Sequence, residues 1–421
     1  PGAGKACASL VNYLLGITDV NPMQHGLIFA TFFNGEDWQG PHFNILCSEN
    51  RQFMVAFLQK RFGSNRIVNT ARCRRWYADH LIREIGKIID VHPLEPQRVI
   101  STAIEAQEKT LHEKIRQNST MHALAGNPNR GLRNLIQLAA GLENRIREVL
   151  PGNTILISPL KIEENLPVFR TEDGTMITQF DSDSLSHAGF FLVDIAELDQ
   201  LAINRKTAQM TGREPPETSA AESDQNNHEV FRLLRSGATH RIHRLGSSAM
   251  RSIIGQLLPN CFNDMILMHA CLNEGPITSG LFKQIADRRN GVAQYNPPHP
   301  DLQTILQETC GLFLYHEQII GAMARLAAFS TGEACDFIAA VRNDEKTQLS
   351  QFRRKFIRQA GERGTGQSEA RQIFCDLCQA AHNAVSKAQA AAEAALSWQG
   401  AWLMASFPEE YLTVARKYKQ Y

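Results

Sequence analysis

The sharpest alternation of apolar and polar positions lies at residues 41–47. Phe43, Ile45 and Cys47 alternate with His42, Asn44 and Leu46, so the two sets face opposite sides of a short strand. Gly40-Pro41 interrupts regular structure before it. After Ser48 the residues Phe53, Met54, Phe57, Leu58 and Phe62 recur at helical spacing. Residues 91–149 read as helical and polar. Residues 213–229 hold Pro215, Pro216, Ser219, Ser223 and Asn226-Asn227, a breaker-rich run that predicts a solvated or disordered linker.

A chain of 421 residues accommodates more than one domain, and 43% hydrophobic residues is ordinary for a globular protein. With a net charge of +1, no bulk field draws it to nucleic acid, so any such binding must come from local patches. No apolar run reaches the roughly 18 residues of a transmembrane helix, and no signal peptide is visible, which together predict a cytoplasmic protein without membrane contact. The first residue is Pro, not Met, as expected if the sequence begins within a longer protein. Of the nine Cys, only Cys375 and Cys378 form a CxxC, inside a helical pattern and without a second ligand pair, so they are expected to be free thiols and not a zinc site.

Two readings compete for the first residues. Pro1-Gly2-Ala3-Gly4-Lys5-Ala6 invites a phosphate-binding loop, and with it a nucleotide switch through Gly2, Gly4 and Lys5. However, Ala6 follows the lysine where a Ser or Thr should hold Mg²⁺. Alternatively, Gly2, Gly4, Ser9, Leu10, Val11 and Tyr13 resemble the Gly-Ser motif of the C-family DNA polymerases, the bacterial DNA polymerase III alpha subunits and their error-prone relatives. The resemblance then runs through nearly the whole chain, in order. Leu15-Gly16-Ile17-Thr18 and Phe32-Phe33-Asn34 resemble the connection into the catalytic strand, and Leu81-Ile82-Arg83-Glu84-Ile85-Gly86-Lys87 the segment entering the thumb. Ile155-Leu156-Ile157-Ser158-Pro159 resembles a palm strand, as do Ile177-Thr178-Gln179-Phe180-Asp181 and Leu192-Val193-Asp194-Ile195. Cys261-Phe262-Asn263-Asp264-Met265-Ile266, Leu314-Tyr315-His316-Glu317-Gln318 and Trp398 to Tyr411 resemble the fingers.

The resemblance implies an α+β, predominantly helical fold: a nucleotidyltransferase-type palm with a helical thumb and large helical fingers. It places the palm at 1–74 and 150–205, the thumb at 75–149, a linker at 206–229 and the fingers at 230–421. It also implies Mg²⁺, held by three strand carboxylates written Pro-Asp-x-Asp-x-Asp-Phe and by a further Asp. Here the strand positions are His42, Asn44 and Leu46, and only the further one, Asp194, remains acidic. Asp194 is therefore the retained catalytic and metal candidate, with His42 and Asn44 at altered positions and Mg²⁺ expected to bind weakly or not at all. The nucleotide-site candidates are Gly2, Gly4, Lys5, Ser9, Tyr315 and Lys387. Ala3, Asp79, Leu192, Asn273, Ala339 and Ala340 stand where the family places a basic residue or works beside one.

Two carboxylates just upstream, Glu36 and Asp37, lie about five residues from the strand, too far to share its site without rebuilding. Candidate DNA contacts are Arg83, Arg244, Arg288, Arg289, Arg354 and Lys355, while Arg72, Arg74, Arg75 and Arg83 are expected on a solvated helix face. The pattern predicts a polymerase body that has given up catalysis and holds DNA, or partner proteins of replication or translesion repair. The alternative is an active DNA polymerase with an atypical metal site.

Overall fold

The computed structural model describes residues 2–33, 43–48, 50–89, 91–92, 94–105, 110–172, 174–216, 227–295 and 297–418. The fold is α+β and predominantly helical. Its strands are β1 (Gly2–Ala3), β2 (Phe43–Cys47), β3 (Ile67–Arg75), β4 (Ile146–Ile157), β5 (Val168–Arg170), β6 (Met176–Asp181) and β7 (Leu192–Glu197). The chain divides into two compact units, Pro1–Gly63 with Ser186–Tyr421, and Ser64–Leu185.

In the first unit β2 pairs antiparallel with β1 and parallel with β7. Val193 and Ile195 of β7 are buried, which fixes the register of the pair because a one-residue slip would turn both outward. The remainder of this unit is helical and is built around Lys387–Ser406. Fourteen of that helix's twenty residues are buried, spread over every face. Ala388, Ala391, Ala394 and Ala401 let neighbouring backbones approach, and Trp398 fills the centre against Phe231 and Phe262 at ring distances of 5.7 and 6.3 Å. A second core gathers Phe337, Phe356 and Phe374, whose rings lie 5.5–5.6 Å apart along the chain of contacts.

Buried polar groups tie this unit together. Glu317 accepts the backbone N–H groups of Lys387 and Ala388 at 3.0 and 3.2 Å, so a carboxylate closes the positive end of the long helix. Burial pushes its carboxyl pKa up, against the pull of those two N–H groups. Further along, Gln200 accepts the His243 N–H at 2.6 Å and donates to Asn204 and to the Tyr411 hydroxyl at 2.5 and 3.0 Å. Gly400 lies against this amide: a Cβ there would stand 2.7 Å from Gln200 Nε2.

The second unit packs the helices Ala78–Ile88, Leu94–Glu105, Leu111–Gln117, Ser119–Ala125 and Arg130–Leu142 over one core. Leu81, Ile82, Ile85, Leu132, Leu135, Ile136 and Ala139 lie buried in it at helical spacing. In its sheet, β3 pairs antiparallel with β4 and parallel with β6, and β5 closes against β6.

Several sequence expectations need correction. The strand expected at residues 155–159 begins nine residues earlier, at Ile146, because β4 forms a long hairpin partner for β3. Arg72, Arg74 and Arg75 accordingly lie on strand β3 and not on a helix; Arg83 alone of that group is helical. The helix expected after Ser48 is present as Arg51–Phe62, but its apolar positions do not form a core face: Phe53 and Phe57 are 73% and 57% exposed. Of the expected linker, residues 217–226 lie outside the described residues.

Two predictions follow from this packing. Gly400→Ala should lower stability by roughly 2 kcal/mol, because displacing the Gln200 amide outweighs the better helix propensity of alanine; chemical denaturation with circular dichroism reads this. The second concerns His269, fully buried, and His316. Burial lowers their pKa values from 6.5 to about 3 and about 4. Glu393 pulls His269 back up, while Arg244 and His243 push it further down; Arg342 and Lys5 push His316 down. Because both folded-state values are depressed, the unfolded chain takes up protons first, and stability is lost as pH falls from about 6.5 toward about 4. The drop in melting temperature between pH 7 and pH 5 should therefore shrink in His269→Leu.

Candidate functional site

The three strands of the first unit bring Ala3, Asn44 and Asp194 into one row. Ala3 is the Cα partner of Asn44 across the antiparallel ladder, and Asn44 is the partner of Asp194 across the parallel one. Paired residues present their side chains on the same sheet face, so three of the positions singled out from the sequence lie side by side. Leu46 lies two residues further along that face, opposite Ala196. His42, Glu36 and Asp37 lie outside the described residues.

The surroundings of the row are set by backbone close to it. Gly4 has φ +66°, and a Cβ there would come to 3.4 Å from Asn44 Nδ2. Only a glycine turns this way at no steric cost, so the chain leaving β1 runs past the amide. Leu46 lines a cavity of about 40 Å³ with Ala3, Cys7, Val20, Ala395 and Leu396, where Asp19 and Glu393 supply the charge. A carboxylate at position 46 would enter an apolar wall facing two acids. At the far end of β7 the helix Arg51–Phe62 is pinned in place: the Arg51 N–H donates to Glu197 Oε1 at 2.5 Å, and Arg51 Nε to the Ile195 carbonyl at 3.1 Å.

The described donor set does not fit a pair of hard divalent ions. Mg²⁺ takes oxygen ligands, preferably anionic, and a two-ion site needs several carboxylates. Along the described part of this row stand one carboxylate, Asp194, one neutral amide, Asn44, and one alkyl group, Leu46. Among the described residues no three His, Cys, Asp or Glu side chains gather as a metal cluster.

The nucleotide-site candidates come from distant parts of the sequence. Gly2 ends up in β1 and Gly4 and Lys5 in the 3-10 helix Gly4–Ala8, with the Lys5 side chain exposed. Ser9 is buried and serves as a helix cap, accepting the Asn12 N–H at 3.3 Å. Tyr315 and Lys387 come together, and Lys5 lies close enough to the adjacent His316 to lower its pKa. Tyr315 is fully buried, which pushes its phenol pKa well up, and the Lys387 ammonium stands 5.4 Å from its ring. That ammonium is paired with Glu308 at 2.7 and 3.0 Å. Asn273, at a family arginine position, spends its amide on the carbonyls of His269 and Ala270.

Most of the candidate DNA contacts are committed within the chain. Arg289 pairs with the buried Asp264 at 2.6 Å, Arg288 donates to the Cys310 carbonyl at 2.9 Å, and Arg244 lies 3.8 Å from Glu393. Lys355 pairs with Glu333 and lies over the Phe329 ring. Arg83 and Arg354 are exposed on their helices. Sequence reasoning missed Glu317, which was read only as part of a matching motif; it caps a helix that begins 70 residues further on, so no local pattern pointed to that role. It also missed Arg145 and Arg147, whose alternation in the run into β4 mirrors that of Arg72 and Arg74.

Comparisons with known proteins agree with this architecture. A family model described as the bacterial DNA polymerase III alpha NTPase domain matches residues 1–196, and one described as the bacterial DNA polymerase III alpha subunit finger domain matches residues 200–364. The DNA polymerase III subunit alpha of Aquifex aeolicus is 26% identical over 439 residues, spanning 98% of this chain and 38% of that protein. Those of Escherichia coli and Treponema pallidum are 28% and 27% identical, again over 98% of this chain and 37% and 35% of theirs. The chain thus spans under two fifths of the length of these curated relatives. With both models and these relatives matched in order along it, the chain is a C-family polymerase alpha-like protein, similar throughout to part of the bacterial DNA polymerase III alpha subunits.

Proposed function

We propose that this chain is a non-catalytic member of its family, a palm, thumb and fingers body that holds DNA or partner proteins of replication or translesion repair without adding nucleotides. The observation that carries this reading is the row Ala3, Asn44, Asp194 with Leu46 beside it. Nucleotidyl transfer relies on metal ions and cationic side chains that neutralise charge as it develops. In the row, a single carboxylate replaces a cluster, and an alkyl group occupies the position next to Asp19 and Glu393. The positions expected to meet the triphosphate are altered in parallel, with Ala3, Asp79, Leu192, Asn273, Ala339 and Ala340 carrying no positive charge. Apolar positions follow the opposite pattern: Phe262, Met265, Trp398 and Tyr411 remain and fill the core. Loss of the polar chemistry with retention of the packing supports a body kept for binding.

One observation favours a second reading. Asp194 stands in direct register with Asn44, so a carboxylate and a carbonyl oxygen share one sheet face and could hold a single ion. This would be an active polymerase with an atypical metal site.

Primer extension with all four dNTPs and Mg²⁺ or Mn²⁺ separates the two. The parent is expected to give no extension. The triple variant His42→Asp, Asn44→Asp, Leu46→Asp is also expected to give none, because restoring strand carboxylates leaves the triphosphate positions unchanged. Extension by the parent that disappears in Asp194→Ala would overturn the proposal and establish the second reading.

A further inference from the structure

The β3–β4 hairpin of the second unit carries a site that the candidate positions above do not include. Its two strands run in a single register from Ala71↔Pro151 to Arg74↔Glu148, and then slip so that Arg75 faces Ile146. Arg147 is the residue left over, a β-bulge, and bulges re-aim side chains. Its guanidinium lies over the Trp76 ring, 4.6 Å from the centroid. Beyond the bulge the hairpin is closed by two backbone bonds: Trp76 N–H to the Arg145 carbonyl at 2.9 Å, and Asn144 N–H to the Trp76 carbonyl at 3.0 Å.

Around it opens a concavity of about 360 Å³ lined by Arg72, Cys73, Arg74, Arg75, Trp76, Tyr77, His80 and Arg147. Four arginines, a histidine and two aromatic rings line it, and no acid does. Acids outside the lining offset part of that charge. Glu148 takes Arg74 at 3.4 Å, Asp181 lies near Arg75, and the exposed Glu84, held by Lys87 at 2.9 Å, feels His80 and Arg147. Arg75 also donates to the Asn144 carbonyl at 2.8 Å, and Arg72 has no ion-pair partner among the described residues. Tyr77, next to this charge, is 66% exposed. In a chain of net charge +1, this is a strong local concentration of positive charge.

We propose that this pocket binds single-stranded nucleic acid, with Arg72, Arg75 and Arg147 contacting consecutive phosphates and Tyr77 stacking on an exposed base. Guanidinium groups match phosphate geometry, and an aromatic face beside a basic groove accepts any unpaired base. A duplex hides its base faces, so it would use the arginines but not Tyr77. The proposal deepens the binding role given above and rests on it only in that both concern nucleic acid.

The test is fluorescence anisotropy of the full chain with fluorescein-labelled 20-mers of oligo(dT), oligo(U) and a duplex, over a series of KCl concentrations, with melting curves confirming that each variant folds. The expected result is binding of a single-stranded oligomer that the Arg72→Ala, Arg75→Ala double variant weakens at least tenfold, while lowering the log–log salt slope by about 1.4. Tyr77→Ala should weaken it about tenfold, and Tyr77→Phe should leave it nearly unchanged. Dependence of either oligo(dT) or oligo(U) on these residues supports the proposal, and the two probes tell DNA from RNA. Unchanged affinity in the double variant would overturn it. So would equal loss in Tyr77→Phe and Tyr77→Ala, or sensitivity to these residues that appears only with poly-glutamate, which would mark an acidic protein partner. Primer extension scores the catalytic question separately: extension by the parent with variants that still lose oligomer binding would refute the non-catalytic reading and leave the pocket standing.

Discussion

The helix Lys387–Ser406 has to be buried on nearly every side, and the first unit is arranged to make that possible. A helix apolar all round cannot face water, and its ends still carry unpaired backbone groups that need partners inside the protein. Glu317 meets this need at the amino end, and the alanines and Gly400 along its length admit neighbouring backbones and the Gln200 amide. The same helix contributes Ala392, Ala395 and Leu396 to the cavity that Leu46 lines, with Glu393 at the same place. The chemistry available to strand β2 is therefore tied to the packing of the helix beside it. A carboxylate in that position would meet alkyl groups and two acids, whereas leucine continues the apolar contact.

This coupling explains why the altered residues form a coherent set. At Asn44 and Leu46 the charge expected of a metal site is absent, and what replaces it is consistent with the neighbours. Asn44 places its amide against the backbone of Gly4, and Asn273 turns its amide to the carbonyls of its own helix. Cationic groups that remain are largely neutralised within the fold: Lys387 by Glu308, Arg289 by Asp264, Lys355 by Glu333. The hairpin of the second unit departs from this pattern, since four arginines line one pocket whose lining holds no acid, and Arg72 among them has no ion-pair partner among the described residues. The distribution of paired and unanswered charge separates positions that serve stability from positions available to an external anion.

Much of the fold and part of the site were legible in the sequence. Period-two alternation located β2, and colinear motifs located β6 and β7. The pairing of Asn44 with Asp194 across 150 residues of chain was not legible from spacing; it entered through family resemblance, and the ladder supplied the register. Local pattern failed where tertiary pairing decides. Residues 146–149 carry charges that read as the end of a helical stretch, yet they extend because β3 offers a partner. The arginines at 72, 74 and 75 looked like a helix face because their strand was not recognised, and the bulge that turns Arg147 over Trp76 depends on a two-strand register that no single segment contains. Likewise Phe53 and Phe57 have helical spacing but no core to face, since spacing reports a helix and not what covers it.

The central claim is that the row on β1, β2 and β7 lacks the charge to hold a catalytic metal. The most direct measurement is Mn²⁺ titration of the full chain, followed by electron paramagnetic resonance and by calorimetry, for the parent, Asn44→Asp and Asp194→Ala. Placing a second carboxylate beside Asp194 should raise affinity about tenfold or more, since two carboxylates attract a divalent ion where one carboxylate and an amide do not. The account predicts weak Mn²⁺ binding by the parent, no further loss in Asp194→Ala and a clear gain in Asn44→Asp. Tight binding by the parent that Asp194→Ala abolishes would contradict it.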